Sequence, residues 1–279
     1  MKITINEFEK SKEFLVCVDS DGCAMDTMDV KHIKCFGPKI VEVWGLQAIE
    51  GKFLETWNNI NLYSKTRGIN RFKGLVEIFE VLTAEGLNMP EFGSIKKWTE
   101  TTPELSNPAL EKAIEETKDE QLGKALEWSN AVNKAISELH NEDKPFPFVK
   151  EGLEIISMVA DIAIVSSANG RAVMEEWTRH ELAPSVKVML GQEAGTKAAC
   201  IAGLKENNFS NDKVLMVGDA PGDLEAALKN GVLYYPILVG KEEFSWKRLA
   251  TEAVPKLMDG SYKGEYQEKL IDEFNSSLK

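Results

Sequence analysis

Cysteine is scarce in this chain: four in 279 residues, at positions 17, 23, 35 and 200, with no CxxC pair. That excludes a disulfide scaffold. Zinc sites show short paired spacings, and His32 with Cys35 is a single half-site without a partner cluster. Free, buried thiols are the expectation. Histidine is scarcer still: His32, His140 and His180 are scattered, which leaves little for a His-based triad. No apolar run approaches the ~20 residues that a membrane-spanning helix needs. The opening MKITINEFEKSKEF lacks the apolar core of a secretory signal, so a cytoplasmic protein without a membrane partner is expected. There is no basic tract. With 33 basic against 45 acidic side chains the net charge is −12, which argues against a nucleic-acid duplex as partner. Internal repeats and low-complexity tracts are absent too.

What is present is an apolar fraction of 43%, enough for a sizeable core, and a length that allows one large or two modest domains. The first apolar run, 14–18, is short and rich in β-formers, and reads as a strand buried on both faces. It stops abruptly at Asp19-Ser20-Asp21-Gly22. From about 39 to 140 the pattern becomes helical. Apolar residues at 72, 75, 76, 79 and 82 mark one helix over 71–84, and those at 122, 126, 132, 135, 136 and 139 mark another over 119–140. No strand is expected in this block.

Prolines at 145 and 147 then break the chain. Strand–helix alternation follows: a helix at 150–160, a strand at 162–165, a helix to about 181, a strand at 186–190 and a helix at 197–207. A strand at 214–217, a helix from 222 that stops at Gly231, and a strand at 234–239 complete the series. Such alternation gives a parallel sheet covered on both faces. The expected fold is α/β, a Rossmann-like doubly wound parallel sheet with an inserted all-helical domain. The core would be 1–27 with 145–279 and the insert 28–144.

In open parallel sheets ligands bind beyond the carboxyl ends of the strands. Those ends carry Asp19 and Asp21, then Ser166 and Ser167, then Asp219 and Asp223, while Lys197 opens the helix before the last of these strands. Clustered carboxylates repel one another unless a divalent cation neutralises them, and hard oxygen ligands suit Mg²⁺. Serine hydroxyls, backbone N–H groups at a helix start and an ammonium group can hold phosphoryl oxygens. Gly22 would let the backbone turn tightly beside the reacting centre.

Residue by residue, this resembles the haloacid dehalogenase superfamily. Its DxDG signature is matched by Asp19-Ser20-Asp21-Gly22, its strand-ending serine by Ser166, its lysine by Lys197 and its GDxxxD by Gly218 to Asp223. The lysine motif lacks the proline that commonly follows it. The resemblance covers about 11–27 and 145–249, and the helical block between the first two motifs looks like the superfamily's type-one cap. It implies a hydrolase in which Asp19 attacks phosphorus and Asp21 serves as acid and base. It also implies Mg²⁺ held by the Asp19 carboxylate, the Asp21 carbonyl, Asp219 and Asp223. Asp21 favours a phosphatase or phosphomutase over dehalogenase and phosphonatase members. The phosphatase, acting on a small phosphorylated metabolite, leads. A phosphomutase or a non-catalytic anion-binding module are the alternatives.

Substrate or phosphate contacts are expected from Gly22, Ser167, Ala168 and Asn169. In the helical block they are expected from Arg67 and Arg71, whose guanidinium forks suit a carboxylate or a second phosphate. Lys31, His32, Lys34 and Lys39 are weaker candidates. Asp26 reads as a hinge or a solvated side chain, the segment 241–246 as an entrance lining or a strap on the core, and the six tryptophans as core. Residues 250–279 are expected to form outer helices with a polar, frayed end at 275–279.

Overall fold

The computed structural model describes residues 4–139 and 142–278. It divides into two compact units, Met1–Met28 with Asp143–Lys279, and Asp29–Glu142. No described helix is long and apolar enough to cross a membrane.

The first unit is built on five parallel strands: β1 (Phe14–Val18), β2 (Ala160–Val165), β3 (Val188–Leu190), β4 (Val214–Gly218) and β5 (Leu233–Pro236), in the order β3-β2-β1-β4-β5. Side chains alternate across the sheet because the strand period is two. Val16, Val18, Ile162, Ile164, Leu215 and Val217 enter one apolar layer, beneath the helices Val149–Ser157 and Gly170–Arg179. Leu15, Cys17, Ala163, Val165, Val214 and Met216 enter the other, beneath Lys197–Lys205 and Pro221–Asn230. Every residue of β1 is therefore buried, which is why its sequence is continuously apolar instead of alternating. This is a doubly wound α/β sheet. The central strands β1 and β4 pair from Leu15 with Val214 to Val18 with Val217, so Asp19 and Asp219 leave the sheet side by side.

Element ends differ from the sequence pattern by a few residues. β5 stops at Pro236, because Leu238 leaves the sheet to donate its N–H to the Ser245 hydroxyl. The helix Pro221–Asn230 ends as expected at Gly231, whose φ of 64° is the left-handed conformation glycine adopts freely. The expected frayed end at 275–279 is not found among the described residues. The helix Glu265–Ser277 continues past 275, and Leu278 is buried in the same apolar cluster as Phe274. Apolar contact at that end outweighs its polar composition.

The second unit is helical, with no strand among its described residues. Helices Arg71–Ala84 and Glu120–Ser137 supply Leu75, Ile78, Phe79, Leu82, Trp128 and Val132 to one closed core with Trp44, Phe53 and Trp57. The expected helix over 119–140 ends at Ser137, and His140 lies outside the described residues. The sequence pattern gave no sign of two π-helical turns, His32–Phe36 and Asn59–Tyr63. All four cysteines are free and buried, and all six tryptophans are buried.

Candidate active site

Three strand ends bring the site together. β1 is followed by Asp19, whose backbone N–H donates to the Val217 carbonyl (3.0 Å) and so locks it to β4. The chain then folds back on itself: the N–H groups of Cys23, Ala24 and Met25 all converge on the Ser20 carbonyl, and Gly22 donates to Met25. Gly22 sits at φ 79°, a conformation that penalises any side chain. Two distant indoles hold this loop. Trp177 Nε1 donates to Ser20 Oγ (2.9 Å) and Trp246 Nε1 to the Cys23 carbonyl (2.9 Å). The helix that carries Trp246, Glu242–Arg248, thereby straps the core. Asp21 accepts a hydrogen bond from the Thr27 hydroxyl. Asp26 pairs with Lys144 at 3.2 Å, on the surface.

β4 ends at Gly218 with Asp219 next, and the following helix contributes Asp223. Carboxylate oxygens of Asp19, Asp219 and Asp223 lie within 4.8 Å of one another, and all three residues are buried. Asp223 is held at both oxygens: Oδ2 accepts the Ala220 N–H (3.1 Å) at the helix start, and Oδ1 accepts from Lys197 Nζ (2.6 Å). The Lys197 ammonium also pairs with Asp19 Oδ2 at 2.8 Å. Gly218 is required by packing, since a Cβ there would lie 2.2 Å from Asp223 Cγ.

Electrostatics follow from this crowding. Burial, with Asp223 adding repulsion, outweighs Lys197 and pushes the Asp19 carboxyl up to about 7. Asp223 is raised in the same way, by burial and by Asp219 against the pull of Lys197. Burial works against the Lys197 ammonium, but Asp19 and Asp223 outweigh it and keep it charged. Three buried carboxylates thus stand together with one ammonium, paired to two of them, a formal charge of −2 when all are ionised. One hard divalent cation would balance that charge, and the donor set is carboxylate oxygen throughout. The residues fit such an ion.

β2 delivers Ser166 at its end. The Ser166 N–H is spent on the Leu190 carbonyl, while Oγ accepts the Ala168 N–H (3.1 Å) and keeps its own proton to donate. Ser167 is exposed and Ala168 half-buried. Asn169 has local work: its Oδ1 caps the following helix through Ala172 N–H (3.1 Å), and its Nδ2 donates to Glu193. Glu193 also takes the Gly170 N–H (3.0 Å), so that helix start already faces a carboxylate. Glu193 carried no sequence signal.

The structure therefore gathers Asp19, Asp219 and Asp223 within 4.8 Å of one another, with Lys197 paired to Asp19 and Asp223. Arg67 and Arg71 belong to the helical unit. Arg67 is buried and donates from Nη1 to the Leu62 carbonyl (2.6 Å), and Arg71 donates to Ser129 and Asn133. Of the weaker candidates there, Lys34 pairs with Glu142 and Lys39 with Glu42, while His32 stacks on Phe36.

Comparison with known proteins follows the same lines. The profile of the haloacid dehalogenase-like hydrolases matches residues 69–235, more than half of the chain but not Asp19 or Asp21. Among curated proteins nothing matches. Similar solved structures include a predicted phosphoglycolate phosphatase from Haemophilus somnus 129PT, 16% identical, with a TM-score of 0.53, 82% of this chain covered and 86% of that one. Another, from Lactobacillus delbrueckii subsp. bulgaricus ATCC BAA-365, is named by prediction for the same activity. It is 14% identical, with a TM-score of 0.53 and coverage of 95% and 99%. A third, from Bacteroides fragilis and named by prediction as a haloacid dehalogenase-like hydrolase, is 14% identical, with a TM-score of 0.51 and coverage of 84% and 93%. At such identities these likenesses concern the fold alone. The chain belongs to the haloacid dehalogenase-like hydrolases.

Proposed function

We propose that this hydrolase is a Mg²⁺-dependent phosphatase that cleaves a small phosphorylated metabolite through a phosphoryl group carried on Asp19. The observation that carries the reading is the buried triangle of Asp19, Asp219 and Asp223, with Lys197 lying between two of its corners. A Mg²⁺ ion held by these carboxylates and the Asp21 carbonyl would supply positive charge against the phosphoryl oxygens.

The chain's own groups do the rest. An Asp19 oxygen forms a bond to phosphorus as the ester P–O bond breaks, and Asp21 gives its proton to the departing oxygen. Asp21, now a carboxylate, takes a proton from water. That water's oxygen attacks phosphorus, the bond to Asp19 breaks, and inorganic phosphate and the free carboxylate result. Lys197 and the Ser166 hydroxyl hold phosphoryl oxygens throughout, so most of the catalysis is positioning and charge neutralisation. Ser167, with Gly22 and Ala168, shapes the rim of this cradle.

The setting we infer is cytoplasmic, in keeping with four buried free thiols. A net charge of −12 suits a small-molecule partner and not a nucleic acid. The test is hydrolysis of p-nitrophenyl phosphate, and of 2-phosphoglycolate, the ester named for two of the fold relatives. EDTA should abolish turnover and added Mg²⁺ restore it, while Asp19→Ala stays inactive at any Mg²⁺ concentration. An active Asp19→Ala enzyme would remove the reading.

A further inference from the structure

The residue between the two motif aspartates has a partner of its own. Val16 and Val18 of β1 face one apolar layer, and Leu15 and Cys17 face the other. Continued for two residues, that alternation sends Asp19 and Ser20 to opposite sides. Their contacts follow it. Asp19 pairs with Lys197, which opens the helix Lys197–Lys205 in the layer of Cys17. Ser20 Oγ accepts the indole N–H of Trp177 (2.9 Å), which packs in the layer of Val16 and Val18. The dipeptide is thus gripped from both faces of the sheet, by a charge on one and a hydrogen bond on the other.

Trp177 and Ser20 are both at 0% exposure, so neither polar group can turn to water, and each would be stranded without the other. An aliphatic pair would fill the same space without that liability, but it would fix no direction. Trp177 lies two turns into the helix Gly170–Arg179, and helical side chains lean toward the N-terminus, so the indole points back toward the helix start. That start follows Ser166, and Asn169 caps it through the Ala172 N–H (3.1 Å). One helix therefore carries the segment 166–169 at its beginning and holds the Asp19–Asp21 loop by its second turn. Ser20 is also the pivot of that loop, since its carbonyl accepts the N–H groups of Cys23, Ala24 and Met25. A shift of Ser20 moves the Asp19 carboxylate and the Asp21 carbonyl together.

We propose that Trp177, by its hydrogen bond to Ser20, is a positioning residue that sets the Asp19–Asp21 loop against Ser166 and Lys197. Its effect on turnover rests on the phosphatase reading. Its effect on Mg²⁺ affinity rests only on the carboxylate cluster.

The experiment uses the full-length protein as wild type, Trp177→Phe, Ser20→Ala and the double variant. Trp128→Phe is the control, because it removes an equally buried indole N–H, given to the Phe36 carbonyl (3.2 Å), in the helical unit. For each, kcat and KM are measured with p-nitrophenyl phosphate, Mg²⁺ Kd by calorimetry, and Tm by circular dichroism. Trp177→Phe is expected to lower kcat ~10–100-fold with KM within about 3-fold, and to raise Mg²⁺ Kd ~10-fold. Ser20→Ala should match it, and the double variant should be no worse than the poorer single, because all three lose one and the same bond. Trp128→Phe should lose a similar amount of Tm and keep kcat and Kd within about 2-fold of wild type. Equal changes in Trp177→Phe and Trp128→Phe, or additive losses in the double variant, would overturn the proposal. Should Trp177→Phe fail to fold, Ser20→Ala against Trp128→Phe decides on the same readouts. A wild type that binds Mg²⁺ without turnover defeats the phosphatase reading alone and leaves the Mg²⁺ Kd to decide this one. A wild type with neither turnover nor Mg²⁺ binding removes both.

Discussion

Replacing Lys197 by methionine keeps the length of the side chain and removes the ammonium that lies 2.8 Å from Asp19 and 2.6 Å from Asp223. At an effective dielectric of about 20, each contact is worth ~6 kcal/mol of gross Coulomb attraction, most of it offset by desolvation. Removing one partner is another matter, because Asp19 and Asp223 then stay buried without the ammonium that both pair with. Breaking a buried pair in this way costs ~3–5 kcal/mol. For a unit of this size ~1 kcal/mol moves Tm by about 2–4 °C, so a fall of ~6–20 °C is expected in metal-free buffer. Urea unfolding of wild type and Lys197→Met with EDTA measures it directly. Adding Asp223→Asn to Lys197→Met removes one stranded carboxylate and should recover part of the loss. Mg²⁺ should restore more stability to Lys197→Met than it adds to wild type. A change under about 2 °C, or a double variant no better than the single, would refute the charge ledger of this site.

Two further substitutions test packing at this site and a charge elsewhere in the same unit. Gly218→Ala would put a Cβ 2.2 Å from Asp223 Cγ, so Asp223 must move. Activity should drop more than 10-fold, with ~1–3 kcal/mol lost in urea unfolding. Asp143 sits beside the C-terminal end of the helix Gly170–Arg179 and accepts from Arg179 (2.6 Å) and His180 (2.9 Å). Burial raises its carboxyl, but these hydrogen bonds outweigh it and hold it below the ordinary 3.8. An acid depressed on folding lends stability above its unfolded pKa and loses it as pH falls through the folded value. Asp143→Asn should therefore be less stable than wild type at pH 6, and the gap should close below pH 4; a gap constant with pH would contradict this.

The sheet was legible because a strand buried on both faces is continuously apolar and then stops: Phe14–Val18 ends at Asp19, and Val214–Gly218 at Asp219. That two acids ending two apolar runs become neighbours follows from strand pairing, which connection rules constrain strongly. The supports of the site were not legible. Trp177 reaches Ser20 across 157 residues and Trp246 reaches Cys23 across 223, and no local pattern encodes such separations. Asn169 read as a turn residue that could also reach the ligand, and its Oδ1 caps the following helix, as asparagine commonly does at a helix start. The end at 275–279 read as loose from composition, whereas Leu278, the last described residue, is buried in the cluster that holds Phe274.

The phosphoryl-enzyme itself gives the sharpest test. Asp21→Ala removes the group that activates water, and p-nitrophenyl phosphate has a leaving group that needs no proton, so the first step should proceed and the second stall. After incubation with Mg²⁺ and rapid acid quench, mass spectrometry of the peptide containing Asp19 should show one added phosphoryl group, absent from Asp19→Asn/Asp21→Ala. An unmodified peptide from Asp21→Ala, where wild type turns over the same ester, or a phosphoryl group on another residue, would contradict the account.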